Sequence, residues 1–344
     1  MPDKIAIVLL NMGGPAGQSD VQPFLQNLFS DKAIIRVPQP FRWLLANLIS
    51  RRRETEAKAN YALMGGGSPL LAETKKQAEA LEIQLAQSDP DHDYKCFIAM
   101  RYWHPFTEET AREVEAWEPD ETVLLPLYPH FSSTTSGTSL KAWAKAYAAP
   151  CKTICCYPGS EALIDAHVNA ILKGWTDSGE PENVSLLMSA HGLPEKIVAA
   201  GDPYQWQIER MGGQIAAKLP TDWEIIGCYQ SRVGPMKWIG PSTEDMVRET
   251  ASCGRHLIVA PIAFVSEHIE TLVELDIEYK KLAMATGARG YTRIPALGTD
   301  QGFIAMLAGL VTAAQASEAN IRSCDGHRIC PKDRTDCPNR SMPA

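Results

Sequence analysis

Two histidines and a file of carboxylates stand out for what they could do with a metal ion or a proton. His191 directly follows the apolar run VSLLMSA (184–190), in a turn with Gly192 and Pro194. An imidazole at a strand end, near its ordinary pKa, suits taking a proton or binding a metal. The plainer alternative is a histidine that only caps the strand. In PIAFVSEHIETLVELDIEY (261–279), Glu270, Glu274 and Glu278 recur every four residues, which stacks them on one face of a helix. Like charges so spaced cost a helix about 0.2–0.5 kcal/mol per pair. Leu272, Val273, Leu275, Ile277 and Tyr279 surround them, so the helix reads as buried. Buried carboxylates must be protonated, paired or metal-bound; the alternative is a solvated acidic stripe. Glu267, His268 and Glu270 crowd the helix start and favour the chemical reading. Imidazole and carboxylate without thiolate suit a transient divalent ion such as Fe²⁺, Co²⁺ or Zn²⁺.

Three further runs read as walls for a large flat ligand. LNMGGP (10–15) ends a strand in a Gly-Gly turn beside Met12, without the spaced glycines of a dinucleotide fingerprint. YALMGGGSP (61–69) follows a helix, so its glycines are either a helix stop or a wall. VGPMKWIGP (233–241) sets Trp238 between two Gly-Pro turns, an aromatic that a surface loop would normally avoid. QPFRWLLANLISRRR (39–53) carries Phe41, Trp43, Leu44, Leu45, Leu48 and Ile49 before three arginines. It reads either as a helix lying on an anionic membrane or roofing an apolar cleft, or as a core helix with a dipole-matched basic end.

The tail beyond about 317 has almost no aliphatic residues but holds Cys324, Cys330 and Cys337. It cannot build a core, so it stays loose unless something orders it. Cys330 and Cys337 each precede a proline, a context shared with iron–sulfur ligand runs. His327 could close a Cys₃His zinc site, or an upstream thiolate could complete a Cys₄ site. Cys155 and Cys156 sit in the strand-like run TICCY and read as core; Cys151, just after a proline, is the favoured fourth ligand.

The elements that must position these groups are legible. Apolar runs at 5–11, 94–102, 122–128, 152–157, 184–190, 224–230 and 256–264 alternate with helical-period segments such as 72–87 and 204–219. Fully apolar strands alternating with helices imply a parallel sheet covered on both faces, so the class is α/β and doubly wound. The halves echo each other: 94–109 resembles 224–245, and 123–140 resembles 257–272. The expectation is two similar lobes with a cleft between them: 1–160, 161–316, and a cysteine-rich extension 317–344. With 344 residues, 45% of them hydrophobic, the chain can bury a large core and is not intrinsically disordered. A net charge of −8 argues against a nucleic-acid binder. The start lacks a basic n-region and a small-residue cleavage site, so it reads as a core strand. Nine cysteines then mean reduced thiols or metal ligands in the cytoplasm.

SAHGLP, PIAFVSEHIETLVELDIEY, LNMGGP, YALMGGGSPL, MRYWHP and SRVGPMKWIGP together resemble the ferrochelatase family, in the family's order over residues 4–315. The resemblance implies two Rossmann-like lobes, each with a four-stranded parallel sheet. It implies a lyase that inserts Fe²⁺ into protoporphyrin IX in heme biosynthesis, giving protoheme and two protons. His191 would then be the proton acceptor or an iron ligand, with Glu270 its partner across the porphyrin and His268 beside it. Glu274 and Glu278 would conduct metal or protons. Met12, Tyr61, Arg101, Tyr102, Tyr128, Phe264 and Trp238 fall on the porphyrin pocket, and Arg53 faces a propionate. The 39–53 segment matches an apolar lip, implying peripheral contact with the inner membrane. The tail resembles a [2Fe–2S] extension through which cluster-bearing members form homodimers. The upstream cluster cysteine of animal members would fall near Ser133, and other bacterial members use a later position, which favours Cys151 alongside Cys324, Cys330 and Cys337.

Metallation needs two N–H protons removed and the macrocycle bent, hence a base and a shaped apolar clamp. The competing readings are a chelatase for coproporphyrin or another tetrapyrrole, a non-catalytic porphyrin- or metal-binding protein, and an iron–sulfur or heme sensor.

Overall fold

The computed structural model describes residues 2–339 apart from Val233 and Pro235. Those two members of the 233–241 run, Met1 and tail residues 340–344 lie outside the described residues. The strands are β1 (Lys4–Asn11), β2 (Asp93–Met100), β3 (Glu121–Pro126), β4 (Lys152–Cys156), β5 (Val184–His191), β6 (Glu224–Gln230), β7 (His256–Pro261), β8 (Gly290–Arg293) and β9 (Ile321–Ser323). Every apolar run singled out in the sequence forms one of β1–β7. The additional β8 and β9 are short and only partly buried, so they lack the apolar signature of a central strand.

The chain divides into two compact units: Met1–Leu127 with Ser132–Cys155 and Leu307–Ile321, and Tyr128–Phe131 with Cys156–Met306 and Arg322–Ala344. One sheet runs β2-β1-β3-β4-β9 and the other β6-β5-β7-β8. The first four strands of each sheet therefore follow the same second-first-third-fourth order, with parallel pairing, as the sequence echo anticipates. The first sheet has five strands instead of the expected four, because β9 comes from the tail. The echo extends to the helix starts. Before the helix Thr107–Trp117, Glu109 accepts the Phe106 N–H at 2.7 Å. Before the helix Thr243–Ser252, Ser242 Oγ accepts the Asp245 N–H at 3.1 Å.

The segment expected at 39–53 becomes a longer helix, Phe41–Ala62, that buries only Ala46, Ser50 and Tyr61. Phe41 (68% exposed), Trp43, Leu44 and Leu48 face outward, so a core helix is excluded. Arg51 and Arg52 lie mid-helix, so they do not complement a C-terminal dipole. Among the described residues, no helix is long and apolar enough to cross a membrane.

The tail is ordered without a core of its own. Thr153 N–H donates to Asn320 O and Cys324 N–H to Cys156 O, extending the β4 edge. The Arg328 guanidinium gathers the carbonyls of Cys330, Pro331, Lys332 and Arg334. Asp336 N–H donates to Gly201 O. Gly201 has φ +107, and a Cβ there would collide with Thr335, so this docking point requires glycine.

Candidate active site

β5 pairs with β6 on one side and β7 on the other. Its first seven residues are buried and its last, His191, is half-buried. The imidazole thus emerges at the carboxyl edge of a parallel sheet, where such sheets place ligands. Gly192 follows, and a Cβ there would lie 3.0 Å from Gln230 O and 3.2 Å from the Trp238 ring. Trp238 is held against this turn by Ile239 N–H to Leu193 O and Glu195 N–H to Lys237 O, both 2.9 Å. Its ring meets His191 edge-on with centroids 6.5 Å apart.

His191 Nδ1 lies 2.8 Å from Glu270 Oε2. A carboxylate only accepts, so Nδ1 carries the hydrogen and the neutral ring has its lone pair on Nε2. Burial alone would push the imidazole pKa down and the carboxyl up, but their mutual attraction wins in both. His191 is raised above its ordinary value and Glu270 is held at about 2. The bridging proton therefore rests on His191 Nδ1 and Glu270 stays a carboxylate, an ion pair whenever the ring takes a second proton. Burial lowers His268, against the pull of Glu270 and Glu267. His268 Nε2 is 4.0 Å from Glu270 Oε2, and its ring lies 4.5 Å from Phe264.

Glu270–Tyr279 is a π-helix, where the four-residue spacing anticipated an α-helix. Hydrogen bonds closing five residues apart widen each turn, a rare geometry concentrated at functional sites. The acidic file ends early. Glu270 and Glu274 are half-buried, while Glu278 and Ile277 are exposed. Glu274 accepts from Ser231 N–H at 2.9 Å, the Ser231 hydroxyl, Gln230 Nε2 at 3.1 Å and the Tyr279 hydroxyl at 2.7 Å. Burial first, then the nearby Glu270 charge, raise its pKa despite these donors. Glu267 turns away from the histidines to Arg293 and the Ala296 N–H. Arg293 also grips both oxygens of Asp276, at 2.9 and 2.7 Å, anchoring the π-helix to β8.

The second compact unit thus brings together His191, His268, Glu270, Glu274, Trp238 and Phe264. Gln230, Ser231, Tyr279 and Tyr204 belong to the same group and were not singled out from the sequence. Gln230 and Ser231 had a usable signal, since they follow the apolar run of β6 as His191 ends that of β5, and Gln230 pairs with His191 in register. Tyr204, whose hydroxyl faces the His191 backbone, had none. Tyr128 is half-buried in this unit.

In the other unit, Met12 follows β1, half-buried, with its N–H on Asn11 Oδ1. Arg101 Nη2 and the Tyr102 hydroxyl both donate to Asp31 Oδ2, at 2.6 and 3.1 Å. Arg53 is half-buried, and Tyr61 and Tyr102 are almost fully buried.

Among the described residues, no three His, Cys, Asp or Glu side chains converge closely enough to hold a metal ion. Two of the sulfurs nevertheless share one donor. Cys330, Cys337 and Cys156 are buried, and the Gln207 amide reaches both Cys156 Sγ and Cys330 Sγ. Cys324 Sγ would touch a Cβ on Gly159. Buried sulfurs facing an amide donor suit a thiolate-held iron–sulfur group in their chemistry. Cys151 packs against the first sheet's core, with Sγ toward Ala149 O. His327 is exposed and bonded to Asp325 O.

The chain resembles known proteins over nearly its whole length. The ferrochelatase family model matches residues 4–315. The chain is 58% identical over 344 residues to a ferrochelatase of Hyphomonas neptunium, covering 99% of this chain and 96% of that protein. It is 54% identical over 343 residues to a ferrochelatase of Caulobacter vibrioides, covering 99% of each. Among solved structures, CbiX, described as the terminal enzyme for siroheme biosynthesis in denitrifying bacteria, superposes with a TM-score of 0.53. That match has 15% identity and covers 90% of this chain and 99% of CbiX, which establishes a common fold. With nearly full-length agreement at over half identity, this chain belongs to the ferrochelatase family.

Proposed function

We propose that the iron insertion for which the family is named is carried out in this chain by His191 and Glu270, on protoporphyrin IX. Each turnover exchanges two pyrrole N–H protons for one Fe²⁺, yielding protoheme and two protons. The observation that carries the assignment is the 2.8 Å His191–Glu270 contact flanked by the Trp238 and Phe264 rings. In its neutral form His191 offers the Nε2 lone pair to a pyrrole proton. Glu270 stabilises the imidazolium that results. Glu270 and His268 offer an oxygen and a nitrogen to the incoming Fe²⁺, a donor set suited to transient binding. Glu274, with its raised pKa, passes protons from Glu270 toward the exposed Glu278.

Within the second unit, Tyr128, Trp238 and Phe264 supply apolar surface to the macrocycle. The charge of Arg101 is matched by Asp31, and Arg53 is the residue that the family resemblance sets against a propionate. The outward Phe41, Trp43, Leu44 and Leu48 beside Arg51 and Arg52 suit the surface of an anionic membrane, the source of an apolar porphyrin.

Cys324, Cys330 and Cys337 hold a [2Fe–2S] cluster, with Cys156 better supported as the fourth ligand than Cys151. Cys156 shares the Gln207 amide with Cys330, whereas Cys151 faces a carbonyl at the first sheet. The cluster supplies one-electron redox capacity and cross-links the tail.

The deciding experiment is anaerobic absorbance of the protein with protoporphyrin IX and Fe²⁺, alongside His191→Ala. Catalytic conversion to the heme spectrum, lost in the variant, is the expected result. Stoichiometric binding without turnover, unchanged by the substitution, would leave a binding protein.

A further inference from the structure

Gln207 lies one turn into the helix Tyr204–Ala216 and is fully buried. Its Oε1 accepts the Phe131 backbone N–H at 2.8 Å. A backbone N–H only donates, so this bond fixes the amide's orientation and sends the NH₂ group the other way. There Nε2 lies 3.2 Å from Cys330 Sγ and 3.5 Å from Cys156 Sγ. The two amide hydrogens thus have two sulfurs to serve, and the carbonyl is separately satisfied.

Neutral thiols are weak acceptors, so a buried amide directing both hydrogens at them is poorly compensated for leaving water. Thiolates are strong, charge-assisted acceptors. Metal-bound sulfur would explain a glutamine at this position where an apolar residue would otherwise pack. Hydrogen bonds to ligand sulfurs also stabilise the more negative, reduced state of an iron–sulfur cluster and so raise its potential.

We propose that Gln207 is a positioning residue for the cysteine site. It holds Cys156 and Cys330 as a pair of ligands through its two N–H donors and sets the cluster's reduction potential. This inference rests on the reading of the tail as a cluster site. The same helix carries Tyr204, whose hydroxyl faces the His191 backbone and whose ring lies 6.0 Å from His130.

The test is a dithionite redox titration of the purified full-length protein, following the cluster's visible absorbance and the EPR signal of its reduced form. Gln207→Glu keeps an oxygen for Phe131 but replaces both donors with a negative charge, and Gln207→Met removes the donors without adding charge. In both, the reduced-to-oxidised ratio at a fixed poise is expected to fall at least about tenfold, which is ~59 mV for one electron. Gln207→Glu should show the larger fall. Unchanged ratios in a cluster-bearing variant would overturn the role of Gln207. Wild-type protein lacking both iron and acid-labile sulfide would overturn the cluster reading as well. Should neither variant assemble, wild-type protein labelled with ¹⁵N in glutamine side chains decides the matter. Pulsed EPR of the reduced cluster should show a weakly coupled nitrogen, and its absence would overturn the proposal.

Discussion

Ser231 holds Glu274 with two donors at once, its backbone N–H at 2.9 Å and its hydroxyl. It does so from a left-handed conformation, φ +62, which is costly for a residue with a side chain. Two opposed effects therefore meet at this position. Ser231→Ala removes the hydroxyl donor and keeps the strain, so we expect about 1.5–2 kcal/mol lower stability. Ser231→Gly loses the same bond but is at ease at positive φ, so it should be about 1 kcal/mol more stable than Ser231→Ala. Urea unfolding of the three proteins measures both differences.

The His191–Glu270 pair makes a signed prediction for the pH profile. In the proposed mechanism only neutral His191 can accept a pyrrole proton, and its pKa is raised above the usual 6.5. The acidic limb of kcat/KM should therefore have its midpoint above 6.5. Glu270→Gln removes the attraction and leaves burial, which pushes the imidazole down, so the midpoint should move to lower pH while the rate falls. A midpoint that stays in place in Glu270→Gln would detach His191 from the rate-limiting proton transfer.

Acid sensitivity should come from a different pair. Both ring nitrogens of His130 and Nε2 of His167 are buried without a hydrogen-bond partner among the described residues. Burial pushes their pKa values down to about 3 and about 4. Each folded value lies below the unfolded one, so the unfolded chain binds more protons in between. The stability from keeping them neutral is complete above pH 6.5 and is lost as pH falls from 6.5 toward 4 and 3. The slope is about 1.4 kcal/mol per pH unit for each histidine. His167→Leu should remove one such contribution, seen as a shallower fall in unfolding free energy between pH 6 and 4.5.

The membrane contact proposed for the outward face of the helix Phe41–Ala62 can be tested apart from catalysis. Leu44→Glu with Leu48→Glu should abolish cosedimentation with phosphatidylglycerol vesicles and leave the thermal midpoint within a few degrees of wild type, since both side chains are more than half exposed. Retained vesicle binding would rule out this face as the contact.

Asp31 is almost buried, and its partner Arg101 is largely so. Arg101→Met leaves that carboxylate without its cation, held by the Tyr102 hydroxyl and the Ala33 N–H, and we expect a loss of about 2–3 kcal/mol. Adding Asp31→Asn should restore part of it, because the uncompensated charge goes with it. A double-mutant cycle in urea gives the coupling.

The central strands were readable because burial on both faces of a parallel sheet leaves an unbroken apolar run, as in VSLLMSA before His191. The same logic marked His191 itself, a polar ring where such a run stops. β8 and β9 escaped because Gly290–Arg293 and Ile321–Ser323 are only partly buried, so no apolar run marks them. Four-residue spacing correctly joined Glu270 to Glu274, since neighbouring turns place them together in either helix type.

Tertiary structure alone decided that the segment is a π-helix with Glu278 in solvent, because hydrogen-bond register within a helix responds to packing such as the Arg293 grip on Asp276. It also brought the sulfurs of Cys156 and Cys330 to one amide, that of Gln207. Cys151 had the more open sequence context, but Cys156 ends β4 beside the incoming tail, and pairing across a strand edge depends on contacts distant in sequence. Gln207 shows the limit most plainly. Nothing near it in the chain distinguishes it from other helical glutamines, and its role arises from three groups at 131, 156 and 330 that only the folded chain brings together.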